Sequence, residues 1–169
     1  MKMPQIGRKS SACFAHIVEG DVERPGRRRC ALFDNLDAMA VKLDCLAVNE
    51  AGCSFVVDEA DAPRLRAATR PLNVALRLKM GCARIELSSS EAGWSLPTTT
   101  QIIAAMGKEN IDVIHLTRDS AMLAVIVSEQ HAPRAADVMA HLCSMASYQK
   151  YEGFPWRPES RASVARICA

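Results

Sequence analysis

The chain has 169 residues, 49% apolar and 24% charged, with a formal net charge of +2; that is enough apolar material for one core or two small ones, and no global basic field that would draw nucleic acid. Its longest apolar runs fall far short of a membrane span, and the opening MKMPQIGRKSSACF has no signal-peptide hydrophobic region, which predicts a cytoplasmic protein. The seven cysteines are odd in number and form no C-x-x-C pair, so they read as buried free thiols in a reducing compartment, not as a disulfide frame or a metal or redox site.

The first predicted strand covers about residues 13–18. A loop containing Glu23-Arg24-Pro25-Gly26 opens into an amphipathic helix that places Leu32, Phe33, Leu36, Met39 and Ala40 on one face. The first turn of that helix carries Arg27, Arg28 and Arg29, cations set against the positive end of the helix dipole and its free N–H groups. Two short strands joined by a tight turn follow, at 43–48 and 53–57, and then a helix with Pro63 in its first turn, where a missing N–H costs little. Asp58, Glu59 and Asp61 read as acids at that helix start, where the dipole favours them. A closing strand is predicted at 73–78.

The order then begins again. A strand at about 83–87 leads through SSSEAGWS (88–95) to a helix opening on Thr98-Thr-Thr-Gln101, a capping-box sequence. Strands at 113–117 and 122–127 precede a helix with Pro133 in its first turn, which is expected to bury Val138, Met139, Leu142 and Met145. The remainder, QKYEGFPWRPESRASVARICA (149–169), reads as an irregular arm.

This second pass is a copy of the first. Shifted by 70, residues 41–72 lie on 111–142 without a gap, with Leu46/Leu116, Ala51/Ala121, Val57/Val127, Glu59/Glu129 and Leu72/Leu142 identical and Ala-Pro-Arg recurring at 62–64 and 132–134. Upstream, Leu32, Phe33 and Leu36 meet Ile102, Ile103 and Met106. Each copy reads β-α-β-β-α-β, a split βαβ plait. The predicted fold is therefore α+β: two ferredoxin-like units with antiparallel sheets and helices on one face. The first is expected to occupy residues 1–79 with an N-terminal extension, the second 80–147, and the arm 148–169.

Tandem units of this order resemble paired ACT domains, and most closely the regulatory region of aspartate kinase, including its separate regulatory subunit. The likeness rests on Glu23-Arg24-Pro25-Gly26 before a helix, VKLDCLAVN (41–49), CSFVVDEAD (53–61) and ENIDVIHLTRDSAMLAVIV (109–127), and spans roughly residues 12 to 146. It departs from the family pattern at Val48, where a Gln is usual, at Arg28, where a small residue is usual, and at WSLPTT (94–99), which replaces the second Pro-Gly. No kinase portion is recognisable, and no closing strand follows the last helix. In the family a segment ahead of the first unit helps complete the second sheet, a part that MPQIG (3–7) is placed to play here.

The resemblance implies a non-catalytic allosteric sensor whose ligand is a free amino acid such as lysine or threonine. That ligand lies between the first unit of one chain and the second unit of its homodimer partner. The residues so implicated are Glu23, Pro25, Gly26, Arg27, Arg28 and Asn49 on one side, with Asp112 and Val113 on the other. Elementary chemistry agrees with that placement: Gly26 allows close backbone approach, the following N–H groups suit a carboxylate, and Glu23 suits an ammonium group. The arginine triplet has two readings. Either Arg28 turns the pocket toward an acidic ligand, aspartate, glutamate or a phosphorylated metabolite; or Glu19, Asp21 and Glu23 neutralise the triplet locally and its side chains swing into water.

A biosynthetic enzyme, the missing kinase above all, is the partner the resemblance implies, with no cofactor, nucleic acid or membrane. The alternative is a degenerate pair kept for dimerisation or scaffolding. His16, His115, His131 and His141 show no metal spacing. Binding of RNA on the open sheet is disfavoured because the central strands offer Phe55 and no aromatic pair, and no nucleophile–base pair supports catalysis. Trp94 and Trp156 read as isolated aromatics at an interface.

Overall fold

Two long strands organise the chain: β1 (Gln5–Val18) and β4 (Ala75–Ser88). The computed structural model describes residues 5–18, 25–88, 97–118 and 122–149. Around the long strands lie α1 (Pro25–Ala38), β2 (Asp44–Asn49), β3 (Gly52–Asp58) and α2 (Ala62–Thr69), then α3 (Thr99–Lys108), β5 (His115–Arg118), β6 (Met122–Ser128) and α4 (Ala132–Gln149). All six strands form one antiparallel sheet in the order β2-β3-β1-β4-β6-β5.

The expected closing strand at 73–78 and opening strand at 83–87 are thus two halves of the single strand β4. Its first half pairs with the second half of β1, Ile17 opposite Leu76 and Ala15 opposite Leu78. Its second half pairs with β6 on one side, Ile85 opposite Val125, and on the other with the start of β1, where Gln5, Ile6 and Gly7 lie opposite Ser88, Leu87 and Glu86. The N-terminal segment therefore completes the second sheet through residues 5–9; residues 3 and 4 fall outside the described residues. Both long strands change register at their middle, where Ser11 (φ 56) and Gly81 (φ 65) adopt left-handed backbone 70 residues apart. Such bulges bend a strand and increase its twist. The Glu59 carboxylate accepts the Gly81 N–H, so that acid braces the bend instead of capping α2, while Asp58 accepts from Ala60 N at 3.1 Å.

Alternation along the strands puts the apolar residues under the helices. Cys13, Ala15 and Ile17 of β1 and Cys53, Phe55 and Val57 of β3 pack with Leu32 and Leu36 of α1 and Leu65 and Ala68 of α2. Ile85 and Leu87 of β4 and Leu123, Val125 and Val127 of β6 pack with Ile102 and Met106 of α3 and Ala135 and Met139 of α4. Phe55 is fully buried beneath the helices. The predicted face of α1 is shorter than expected. Leu32 and Leu36 are buried and Phe33 half-buried, but the helix ends at Ala38, leaving Met39 exposed and Ala40 in the turn at φ 52. On α4, Met139 is buried, whereas Val138 and Leu142 only lean on the core; the Met145 side chain lies outside the described residues.

The reverse face of the sheet closes on itself. Ala12, Val56, Cys82 and Ile126 form a small buried cluster flanked by Phe14, Cys45 and Ile114, and two of its pairs, Ala12/Cys82 and Val56/Ile126, are 70 residues apart. The two edge strands meet there: His115 Nε2 of β5 donates to the Cys45 carbonyl of β2 at 3.0 Å, and its ring lies 5.3 Å from that of Phe14. Arg84 Nη1 also reaches Asp44 Oδ2 at 3.5 Å, joining β4 to β2. Cys13, Cys53, Cys82 and Cys143 are buried and Cys45 is half-buried; Cys30 is exposed, against expectation, and Cys168 lies outside the described residues. No helix among the described residues is long and apolar enough to cross a membrane.

Candidate functional site

Among the described residues, Pro25, Gly26, Arg27 and Arg28 of the implied site stand in the first turn of α1. Pro25 opens the helix, in a position where its missing N–H would be unpaired in any case. Gly26 follows, exposed, and a Cβ built there meets nothing within 4 Å. No acid occupies the first turn of α1, and Arg27 and Arg28 stand there instead.

The three arginines are not equivalent. Arg29 folds across to the β2–β3 turn, where its Nη2 donates to the carbonyl oxygens of Asn49 at 2.6 Å and Glu50 at 3.4 Å. It is therefore a brace between helix and hairpin, a role that neither reading of the triplet included. Arg27 is exposed and Arg28 is half-buried. Asn49 also shapes the turn: its Oδ1 accepts from Ala51 N at 2.9 Å and Gly52 N at 3.1 Å. Glu23, with Glu19 and Asp21, lies outside the described residues.

Asp112 and Val113 sit on the second unit, in the extended stretch between α3 and β5. Ile111 N donates to Met106 O at 2.9 Å and Ile114 N to Ile126 O at 2.8 Å, which fixes that stretch at both ends. Asp112 is exposed, and Val113 packs against the second core. The structure thus brings the start of α1 and Asn49 together within the first unit, and holds Asp112 and Val113 on the other.

The second unit repeats the helix-to-hairpin brace with its ends exchanged. Arg118, at the end of β5, donates from Nη1 to Pro97 O at 2.8 Å, just ahead of α3. In the first unit the arginine comes from the helix, in the second from the hairpin. Sequence reasoning passes over both, because each joins positions about 20 residues apart with no local motif. The capping box is present as expected: Gln101 N donates to Thr98 Oγ1 at 3.2 Å, and Thr98 N to Gln101 Oε1 at 2.8 Å. Most of the SSSEAGWS loop, with Trp94, lies outside the described residues.

The titratable groups set limits on chemistry. Burial pushes the thiols of Cys13, Cys82 and Cys143 up; Cys13 is raised further by the neighbouring Cys82 and by Glu59. Thiols held protonated are poor nucleophiles and poor metal ligands. Among the described residues no group of three or more His, Cys, Asp or Glu side chains is arranged to hold a metal ion.

Neither a protein-family model nor a curated protein matches this sequence. Solved structures do match the fold. The ligand-free regulatory subunit of aspartate kinase from Thermus thermophilus superposes with a TM-score of 0.68 at 14% identity, covering 84% of this chain and 99% of that one. A structure of aspartokinase alpha and beta subunits gives 0.71 at 11%, covering 83% and 98%. E. coli aspartokinase III in complex with lysine and aspartate gives 0.62 at 11%, where 85% of this chain covers 33% of that enzyme. The chain has the fold of the aspartate kinase regulatory region.

Proposed function

We propose that the protein is a non-catalytic regulatory module that binds a free amino acid at the interface of a cytoplasmic homodimer. The observation that carries this reading is coverage: the chain accounts for 99% of a free-standing regulatory subunit of the same fold. The start of α1 and Asn49 of one chain would face Asp112 and Val113 of its partner. The carboxylate of the ligand meets the N–H groups that follow Gly26, where the helix dipole favours an anion; Glu23 takes its ammonium group. Arg28, alongside, favours lysine or threonine less than an acidic relative such as aspartate or glutamate. Ligand bound between two chains stabilises one arrangement of the dimer, and an amino-acid biosynthetic enzyme, such as a kinase, reads the difference. Coupling of this kind amounts to about 1–3 kcal/mol.

A scaffold that has lost its ligand is the second reading. It is favoured by half-buried Arg28 in the first turn of α1 and by the commitment of Asn49 Oδ1 to the hairpin.

A thermal-shift screen of the purified protein against the common amino acids separates the two. A ligand present at a hundred times its dissociation constant stabilises by about 2.7 kcal/mol. Gly26→Asp is expected to abolish that shift while leaving the ligand-free melting temperature in place, since a Cβ at Gly26 meets no neighbour. No shift from any amino acid at millimolar concentration overturns the sensor reading, and an undiminished shift in Gly26→Asp overturns the location.

A further inference from the structure

The edge strands β2 and β5 are joined by residues that the repeat makes equivalent. Cys45 and His115 are 70 apart, and His115 Nε2 donates to the Cys45 carbonyl at 3.0 Å. Phe14 holds the imidazole in that direction, its ring centroid 5.3 Å away at an interplanar angle of 35°. All three residues are half-buried beside the small cluster on the reverse face of the sheet.

The equivalence stops at the backbone. Cys45 is left-handed, at φ 53, and β2 shifts register between Asp44 and Ala47. His115 does not share that conformation, although the left-handed residues Ser11 and Ala40 recur 70 positions on as Gly81 and Asn110. A residue with a Cβ is disfavoured in left-handed backbone and persists there only where its surroundings hold it. The bond from His115 is one such hold.

Each end of this bridge leads to one half of the proposed binding site. From Cys45, β2 runs four residues, about 13 Å, to Asn49, whose carbonyl receives Arg29 of α1. From His115 the chain runs back three residues, about 10 Å, to Asp112. It passes Ile114, whose N–H is tied to Ile126 O at 2.8 Å. Strand, bridge and strand form one continuous set of covalent and hydrogen bonds between the two half-sites of a single chain. In a dimer whose sites each combine the first unit of one chain with the second unit of the other, those two half-sites belong to different sites.

We propose that the His115–Cys45 bridge couples the two binding sites of the dimer, an inference that rests on the amino-acid site proposed above. Ligand against Asp112 and Val113 fixes His115, and His115 holds Cys45 in its disfavoured conformation. β2 then presents Asn49 in the arrangement that the other site needs. Binding at one site prepares the other, and the effect is reciprocal. His115 touches no ligand and is a positioning residue.

The test compares the full wild-type chain with His115→Phe, which keeps a ring against Phe14 and removes the donor, and with His115→Gln, whose side-chain amide restores one. Without ligand, amide hydrogen exchange is read at Ala51 and Gly52, which Asn49 Oδ1 holds at 2.9 and 3.1 Å, and at Met139 in the second core. His115→Phe is expected to speed exchange at Ala51 and Gly52 at least about fivefold and to leave Met139 unchanged. His115→Gln is expected to return both amides toward the wild-type rate. Unchanged exchange at Ala51 and Gly52 overturns the proposal. So does an equal rise at all three positions, which marks a general loss of stability. Calorimetric titration of the wild type with L-aspartate is expected to show a second binding event at least about fivefold tighter than the first, and His115→Phe to show equal affinities. Equal affinities in the wild type overturn the coupling and leave the site standing. The absence of a thermal shift from any amino acid is the opposite failure: it overturns the site, and with it the coupling, even where exchange responds to His115.

Discussion

Two glycines that look alike in the sequence have opposite physical meanings. Gly52 has φ +152, and a Cβ there would sit 1.9 Å from the carbonyl oxygen of Ile17. Gly52 lies opposite Val18 in the β1–β3 ladder, so no side-chain rotation relieves the clash and the strands must part. Gly52→Ala is expected to cost about 3 kcal/mol or more, read as a lowered urea midpoint with an unchanged slope. Gly26 faces open space and tolerates a side chain for folding. Neither difference is legible locally, because the atom that excludes a Cβ at Gly52 belongs to a strand 35 residues earlier. Arg29 shows the same limit: the triplet is visible as a puzzle, while the Asn49 and Glu50 carbonyls that occupy its third member are 20 and 21 residues away. The sites implied at Glu23, Pro25 to Arg28, Asn49, Asp112 and Val113 come from resemblance, since nothing in spacing alone joins them.

Elements are far more legible than their partners. A capping box spans only four residues, so Thr98 and Gln101 announce the start of α3 directly. Thr98→Ala is expected to destabilise the protein by about 1 kcal/mol, measured as a fall in melting temperature that Thr98→Ser largely restores. The same periodicity that marks Leu32 and Leu36 also marks Ile102 and Met106, and all four are buried. Where the pattern overruns, at Met39 and Ala40, left-handed backbone at Ala40 ends α1, and Asn110, 70 residues on, has the same conformation at the end of α3. Alternation locates both halves of β4 but leaves them as two strands. A bulge at Gly81 shifts the alternation by one residue, and a shifted pattern looks like a break.

At the scale of the whole molecule the buried thiols make stability depend on pH. Cys13, Cys82 and Cys143 hold their protons above the ordinary thiol value of 9.0 in the folded chain, whereas the unfolded chain releases them near that value. Their contribution is therefore complete below about pH 9 and is lost as pH rises from there toward the folded values, by at most about 1.4 kcal/mol per thiol per pH unit. Denaturation midpoints at pH 7, 8.5 and 10 should fall across the last interval. Cys143→Ala should show a shallower fall, and an equal one would contradict the assignment. The 70-residue repeat foretells two units, yet hydropathy does not record which unit a strand serves. The shared sheet arises from the two long strands, and they also impose an order in time. Gln5 to Lys9 find their partners at Ser88 to Arg84, so during synthesis the first strand made waits while 75 to 83 further residues are added. At about 5–20 residues per second that delay is roughly 4 to 16 seconds. By then the partners of the later half of β1, in β3 and the start of β4, have already been made, so the edge that the waiting strand completes is the last of its partners to be synthesised.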